Sequence, residues 1–492
     1  MTRVQQGLAS CVLTILTAAA VYGANDLRLV SAAKNRDVTS AQTLLKERVD
    51  VNAPDVDGMT PLHWAAHWDE LELAKQLLAA GASAKATNRY GVTPLHEATL
   101  VADVQLMEAL LKAGANPEAT YGSGETPLMI AARTGNLDAV KLLIDHQAAV
   151  NAAEEFRGQT PLMFAAAENH PQVVKFLIDH GAQVNARSRK FNFGDVKMAN
   201  GGAFMDRGEG ALTPLFFASR EGGIETARVL IAEGADVNLT ETQYGFTPLM
   251  TALFNGHYDL AGLLIDKGAN VDDGSLYITI EMRNLAFYKN RPNPPEKDRT
   301  LSSMDVLKML VDRGADPNKP YTKKIPPREA QGDIKVIPGA TPLFRAMKGT
   351  DLPAIRLMME KGANPSIATE DHSTPLMVAA GLGVPLVATE DDLQGAAKGD
   401  PIEAIKLFLA AGTDVNATND LGFTALHYAA QSGRTRIIEL LAANGAKLDI
   451  KNKAGKTPLD LAMTLGPQGR YMEIDGIPQT ATAAVIRRLM NK

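Results

Sequence analysis

The apolar and polar positions of this chain recur with a period of about 33 residues. Within one period, Leu62 and Ala65-Ala66 have the three- and four-residue spacing of a helix face, and Leu77-Leu78 lie in a second such run. Each period opens with Thr-Pro-Leu, at Thr60, Thr93, Thr126, Thr160, Thr213, Thr247, Thr341, Thr374 and Thr457, and as Thr-Ala-Leu at Thr424. The pattern predicts a chain of short helix pairs.

The residue types at the helix ends support this prediction. The segment Asp55-Val56-Asp57-Gly58 has Asp first and Gly fourth, which suits a type I β-turn. Thr then caps the first helix, and Pro occupies its first turn, where no backbone N–H is needed. The second helix ends at a glycine such as Gly81, which adopts the left-handed conformation that closes a helix. One repeat has Gln147 there, and we expect a weaker helix end.

The Thr-Pro-Leu-His segments, the period and the closing Gly-Ala resemble the ankyrin repeat. The resemblance covers residues 24–492 and implies an all-α fold, an ankyrin-repeat solenoid of about twelve helix-turn-helix repeats with β-turn fingers. Two repeats lack the opening signature. We predict one at the N-terminus, with helices near 27–36 and 39–48, and a degenerate one with helices near 276–287 and 302–313.

Five insertions interrupt the period. Two of them, at 189–211 and 319–340, replace a β-turn and are predicted to be extended fingers that project from the same edge of the stack. We predict solvated hairpins, and clamps over a bound partner are the alternative, which is supported by the cost of exposing aromatic and Met side chains to water. The other three, near 288–301, 382–400 and 466–481, fall between the two helices of a repeat and are predicted to be solvated loops.

The N-terminus has the features of an export signal. Arg3 precedes an uncharged apolar stretch over 8–21, and small residues permit cleavage after Gly23, so residues 1–23 are predicted to be a signal peptide. The stretch is shorter than the roughly 20 residues that span a membrane. An uncleaved anchor remains an alternative, as does a lipoprotein at Cys11, although no apolar run precedes that cysteine.

Cleavage would leave a mature chain without cysteine, because Cys11 is the only one. A chain without thiols suits an oxidising compartment. The protein is similar to exported bacterial ankyrin-repeat proteins, which implies a periplasmic or secreted location without stable membrane insertion. The formal net charge of −6 argues weakly against a nucleic-acid partner.

The resemblance implies that a partner binds the finger tips and the exposed side of the first helices, which together line a concave surface. The residues predicted to contact it are His67, Trp68, Arg89, Tyr90, Tyr121, Arg133, Phe156, Arg157, Arg220, Tyr244, Phe246, Phe254, Leu421 and Phe423. Aromatic residues and Arg dominate this set, and both are enriched where binding energy is concentrated. The alternative is that some of these rings pack on the next finger and seal the stack.

Catalytic motifs are absent from the sequence. There is no phosphate-binding Gly-rich loop, no His-Glu-x-x-His and no Gly-x-Ser-x-Gly. The best metal candidate is His63 with His67, four residues apart on a helix, but His63 belongs to the repeat signature and is assigned to the turn framework. We therefore predict no catalytic residue, no metal and no cofactor.

The predicted function is a non-enzymatic scaffold that binds one protein partner and is a monomer on its own. Its mechanism would be preorganisation, because a rigid stack presents a surface without an ordering cost. The alternative is an accessory or inhibitory subunit of a periplasmic enzyme, which acts through an inserted finger.

Overall fold

The computed structural model describes residues 26–190, 210–284, 300–325, 337–382, 399–463 and 480–491. Within these ranges the chain forms 24 α-helices in twelve successive pairs, and its only β structure is two isolated bridges, 121 to 125 and 190 to 210. The predicted all-α array of about twelve helix pairs is confirmed. The predicted signal peptide and most of the five insertions lie outside the described residues.

The first twelve helices are α1 (Arg28–Lys34), α2 (Val38–Lys46), α3 (Pro61–His67), α4 (Leu71–Ala79), α5 (Pro94–Val101), α6 (Val104–Lys112), α7 (Pro127–Thr134), α8 (Leu137–Asp145), α9 (Pro161–Ala167), α10 (Pro171–Asp179), α11 (Pro214–Glu221) and α12 (Ile224–Ala232). The N-terminal pair, predicted near 27–36 and 39–48, is present as α1 and α2. Each odd-numbered helix is the first of its pair.

The other twelve are α13 (Pro248–Asn255), α14 (Tyr258–Asp266), α15 (Ser275–Arg283), α16 (Ser303–Asp312), α17 (Pro342–Lys348), α18 (Leu352–Glu360), α19 (Pro375–Ala380), α20 (Pro401–Ala410), α21 (Ala425–Gln431), α22 (Thr435–Ala443), α23 (Pro458–Met463) and α24 (Thr480–Met490). The degenerate repeat predicted near 276–287 and 302–313 is present as α15 and α16.

The chain divides into two compact units. Unit 1 comprises Met1–Arg189, Leu212–Ala218 and Ala232–Ala235, and unit 2 comprises Lys190–Ala211, Ser219–Ile231 and Asp236–Lys492. In unit 1 the first helices α1, α3, α5, α7 and α9 pack side by side, and the second helices α2 to α10 form a parallel layer. Unit 2 has the same two layers, with first helices α13 to α23. One helix pair cannot bury its apolar face alone, so stacking builds the core.

Capping residues fix the ends of many of these helices. The hydroxyls of Thr93, Thr126 and Thr374 accept hydrogen bonds from the backbone N–H three residues later, which satisfies a donor that the first helical turn leaves open. Gly81 closes α4 with a φ of 95°, in the left-handed region. Gln147 has a φ of 67° at the corresponding place, so a side chain occupies a conformation that favours glycine.

An Asn in the loop after the second helix links neighbouring repeats, a role that the sequence analysis did not assign. Asn151 donates its amide N–H to the carbonyl of Gly181 (2.8 Å), and its amide oxygen accepts from the N–H of Gln183 (2.9 Å). The same pair of bonds occurs at Asn52, Asn238, Asn318 and Asn416. Each Asn therefore satisfies polar backbone groups at the end of the next helix pair.

Candidate protein-binding surface

The tips of four successive fingers in unit 1 form a continuous hydrogen-bonded row, which we call the finger row (residues 55–58, 88–91, 121–125 and 154–158). The backbone N–H of one tip donates to a carbonyl of the tip before it. The bonds run from Arg89 to Asp57 (3.2 Å), from Gly122 to Tyr90 (3.4 Å) and from Glu155 to Ser123 (2.7 Å). These bonds hold the tips in register, so their side chains are presented on a preformed surface.

Large apolar side chains are exposed on the finger row and at the opposite end of α5. Val56 is 77% exposed, Tyr90 64% and Phe156 50%, while Leu100 and Val101 at the end of α5 are 48% and 39% exposed. The sequence analysis predicted Tyr90 and Phe156 as contact residues but missed the three aliphatic ones. Val56 and Tyr90 lie on adjacent finger tips, which makes this row a candidate interaction surface.

Many charged side chains of this surface form ion pairs, most of them across neighbouring repeats. The ion pairs are Lys34 with Asp55 (3.5 Å), Arg36 with Glu70 (3.0 Å), Arg89 with Asp57 (3.2 Å) and Arg133 with Glu125 (3.0 Å), and His67 Nδ1 lies 2.9 Å from Glu97. Three predicted contact residues, His67, Arg89 and Arg133, are thus already engaged within unit 1. Exposed pairs of this kind contribute little to stability, but they neutralise the surface locally.

The two tryptophans lie together at the N-terminal end of unit 1. Trp64 and Trp68 stack with ring centroids 6.4 Å apart, and the cations of Lys34 and Arg36 lie over them at 4.8 and 5.6 Å. Their indole N–H groups donate to Asp55 Oδ2 (3.2 Å) and to the carbonyl of Lys34 (3.0 Å). Trp68 was predicted and Trp64 was missed, although its place in α3 faces the same side.

The remaining predicted residues of unit 1 also lie on this side. Tyr121 packs edge-on to His96 with ring centroids 5.0 Å apart, and burial raises the pKa of its phenol. The guanidinium of Arg133 lies over Phe164 at 5.4 Å, and that of Arg157 over Phe156 at 5.8 Å. Every residue that was predicted within unit 1 is therefore brought to the finger row or to the first helices beside it.

In unit 2 some of the predicted contact residues are exposed and others are buried. Leu421 is 61% exposed at a finger tip, and Arg220 is exposed with its guanidinium 2.8 Å from Glu221. Phe423 is partly buried against Tyr428, with ring centroids 5.1 Å apart. Tyr244 and Phe246 are only 9% and 4% exposed. The burial of these two rings agrees with the alternative in which rings pack on the next finger and seal the stack.

The finger that carries Tyr244 and Phe246 contacts a segment distant in sequence. The carboxylate of Glu241 accepts hydrogen bonds from the backbone N–H of both residues, at 2.7 and 2.9 Å, but Glu154 binds the N–H of Phe156 in the same way and Phe156 stays exposed. In the finger of Tyr244 and Phe246, Lys323 Nζ also donates to the carbonyl of Gly245, at 2.7 Å. The ring of Phe246 lies 5.8 Å from that of Phe254, which is itself partly buried. We therefore leave Tyr244 and Phe246 out of the proposed contact surface.

Replacing Phe246 with alanine is expected to lower the free energy of unfolding by about 3 to 5 kcal/mol, because it removes a buried ring and leaves a cavity. Denaturant unfolding measures the effect. The matched control is Leu421→Ala, also at a finger of unit 2 but exposed, for which we expect a change within about 0.5 kcal/mol. Unchanged stability of the Phe246 variant, with weaker partner binding, would instead mark the ring as a contact residue.

The start of the 319–340 insertion lies against its own unit. The ring of Tyr321 stacks on that of Tyr277 at 4.6 Å, and Lys323 Nζ donates to the carbonyl of Gly245 at 2.7 Å. Tyr321 is 3% exposed, and burial lowers the pKa of Lys323. This differs from the predicted projecting finger, at least over residues 319–325. The physical reason is that Tyr321 and Ile325 are apolar enough to be buried.

A cavity of about 390 Å³ lies beside this segment in unit 2, with Asp272, Asp273, Lys319 and Lys323 among its lining residues. Its charged groups bind one another or nearby residues of unit 2. Lys319 Nζ is 2.6 Å from Asp272, and Asp273 accepts from the hydroxyl of Thr247 at 2.7 Å.

The histidines that could bind a metal are engaged in the framework. Nδ1 of His63 accepts from the N–H of Thr60 (3.1 Å), so Nε2 carries the proton and donates to the carbonyl of Val92 (3.0 Å). His67 faces Glu97 instead. Within the described ranges no group of three or more His, Cys, Asp or Glu side chains is arranged to hold a metal ion.

Comparison with known proteins identifies the repeats. The family model described as ankyrin repeats (3 copies) matches residues 29–121, 101–188, 196–274 and 393–470, which are more than half of the chain. Ankyrin repeat and KH domain-containing protein mask-1 of Caenorhabditis elegans is 29% identical over 260 residues, 49% of this chain and 9% of that protein. Neurogenic locus notch homolog protein 1 of Homo sapiens is 33% identical over 47% of this chain and 8% of that protein.

The chain thus spans less than a tenth of the length of these two curated relatives. The crystal structure of the human ASB11 ankyrin repeat domain aligns with 22% identity and a TM-score of 0.41, over 49% of this chain and 98% of that domain. Among the described helices, none combines the length and apolar character needed to cross a bilayer. Ankyrin repeats generally mediate protein–protein interaction, and their fold is typically non-enzymatic. On the evidence of its repeats, the chain belongs to the ankyrin-repeat family.

Proposed function

We propose that this protein is a non-enzymatic scaffold that binds a protein partner on the finger row and first helices of unit 1. The observation that carries the proposal is the exposure of Val56, Tyr90 and Phe156 on tips that backbone hydrogen bonds hold in register. Such side chains lose apolar contact with water when a partner covers them, and little chain ordering opposes the association.

A specific complex at this surface is expected to bury on the order of 1,200 to 2,000 Å² in total. Tyr90 and Phe156 are the natural anchors, because aromatic side chains are enriched among the residues that dominate binding energy. The ion pairs around them would lie at the rim, where they contribute mainly to orientation and exclude wrong partners.

The proposal includes a periplasmic or secreted location. It is supported by the signal-like residues 1–23 and by a sequence without cysteine beyond Cys11. Cell fractionation of the tagged full chain would test it: recovery of the protein in the cytoplasm at full length would contradict this location.

The binding surface can be tested by photocrosslinking in the native compartment. A photoactivatable residue at Tyr90 should trap a specific protein, whereas the same residue at Gln76, exposed on the second-helix layer of unit 1, should not. The trapped partner is then measured against the Tyr90→Ala/Phe156→Ala variant.

We expect this variant to weaken binding at least about tenfold, since each anchor contributes more than about 1 kcal/mol. Its melting temperature should not change, because both side chains are exposed. Met490→Ala, which shortens an equally exposed apolar side chain of unit 2, is the matched control and should bind normally. An unchanged affinity of the double variant, or equal trapping at Gln76, would refute the surface.

A further inference from the structure

The chemistry of the finger row also restricts the kind of partner segment that it can bind. This step rests on the proposed function and concerns the same surface. Two features decide it: which apolar side chains are left uncovered, and whether the charges beside them are available to a partner.

The uncovered apolar side chains bracket the third finger. Backbone bonds join Gly122 to Tyr90 on one side and Ser123 to Glu155, the neighbour of Phe156, on the other. A Cβ atom added at Gly122 would meet no other atom within 4 Å, so the space above this tip is open. A partner side chain seated there would lie between two fingers that carry exposed aromatic rings.

Four cations of the same surface are already paired. The cations of Lys34, Arg36, Arg89 and Arg133 each have a carboxylate of unit 1 within 3.5 Å. Phe156 is flanked in the chain by one residue of each sign, Glu155 and Arg157. A strongly acidic or basic segment would have to break these pairs, or meet a like charge, to gain a new contact.

We propose that the finger row of unit 1 binds an uncharged, apolar polypeptide segment of its partner, with one large apolar side chain seated over Gly122 between Tyr90 and Phe156. Because these cations are already paired, complementarity to the surface takes the form of apolar contact. Binding of this kind depends weakly on ionic strength, whereas attraction between surfaces of opposite charge is screened by salt.

Three sets of synthetic peptides of equal length test the proposal with the full chain: neutral and rich in Leu and Phe, rich in Glu, and rich in Lys. We expect measurable binding of the neutral set alone, with a dissociation constant that changes less than about twofold between low and physiological salt. Stronger binding of an acidic or a basic set, or a large loss of neutral-peptide binding on adding salt, would overturn it.

Site specificity is tested by Ser123→Trp, which fills the space at the third finger from an exposed position. We expect it to reduce neutral-peptide binding at least about tenfold, because the indole fills the space of the partner's anchor side chain, whereas Gln76→Trp on the second-helix layer should have no effect. If Ser123→Trp lowers the melting temperature, Tyr90→Ala serves instead. Neutral-peptide binding that survives both variants would mean that the peptides bind elsewhere, and the inference would fall.

The two proposals fail in different ways. If photocrosslinking at Tyr90 traps no protein, the proposed function is lost. If a protein is trapped there but its binding is strongly salt-dependent, or its contacting segment is highly charged, the function stands and the inference about the segment is wrong.

Discussion

Replacing Arg345 with methionine should lower the free energy of unfolding of the protein by about 3 to 5 kcal/mol, which is the cost of leaving a buried partner charge uncompensated. Arg345 on α17 pairs with Glu281 on α15, and one bond of the pair runs from Nη2 to Oε1 at 3.0 Å. The side chains are 4% and 6% exposed. Methionine keeps much of the packing volume of the arginine stem but leaves the Glu281 carboxylate without this cation.

The surroundings of the pair explain why its loss should be severe. Ile278 and Met282, which share α15 with Glu281, are 0% and 1% exposed, so water cannot replace the lost guanidinium. Tyr277 is also buried, and its burial together with the negative Glu281 raises the pKa of its phenol. In a site of low polarity an isolated carboxylate is destabilised and takes up a proton instead.

Denaturant unfolding of three variants tests this account. Glu281→Gln/Arg345→Met should recover part of the stability lost in Arg345→Met, because the double variant leaves no buried charge from this pair. Arg228→Met is the matched control: its exposed partner Glu225 lies 3.6 Å away, and we expect a loss below about 1 kcal/mol. Equal losses in Arg345→Met and Arg228→Met would show that the buried pair has no special role.

The second large effect is a loss of stability as the pH falls from about 6.5 to 4. Burial lowers the pKa of both His63 and His96 from 6.5 to about 4. In the unfolded chain each ring takes up a proton near pH 6.5, whereas in the folded protein it stays neutral until about pH 4. Each neutral ring therefore makes its full contribution to the free energy of unfolding above pH 6.5. Acidification removes this contribution, and the loss reaches about 3 kcal/mol per ring at pH 4.

The hydrogen bonds show why the folded state resists protonation. In both rings Nδ1 accepts from the backbone N–H of the preceding Thr, Thr60 or Thr93. A proton on Nδ1 would face that N–H donor, so each ring would lose its bond to the Thr N–H. Burial likewise lowers the pKa of His427, so a third ring acts in the same direction.

Two other repeats of this chain show which substitution can serve as a control. Met129 and Met163 occupy the same position in the next two repeats and cannot titrate in this range. His63→Met/His96→Met should be less stable at pH 7, because the bonds from Nε2 to Val92 and Ala119 are lost. Its melting temperature should nevertheless fall less between pH 7 and pH 4.5 than that of the parent protein. A parallel fall in the two proteins would contradict the assignment to these histidines.

Local spacing was enough to predict the helix pairs, their capping residues and even the degenerate repeat at α15 and α16. These features depend on contacts within one repeat or with the next, so the sequence of each period contains the information. The exposed positions of unit 1, such as Tyr90 and Phe156, followed for the same reason. In a regular repeat the register of a residue defines the side of the stack on which it lies.

The position of a residue within its repeat could not predict which side chains cover it. Glu281 occupies the place in its repeat that His67 occupies in α3, yet His67 is exposed and Glu281 is buried against Arg345. Tyr244 and Phe246 look like finger residues in sequence, but both are buried, and Lys323 binds the carbonyl of Gly245 between them. These outcomes depend on partners distant in sequence, such as Arg345 64 residues after Glu281. Burial is a property of the folded neighbourhood, and no period along the chain encodes it.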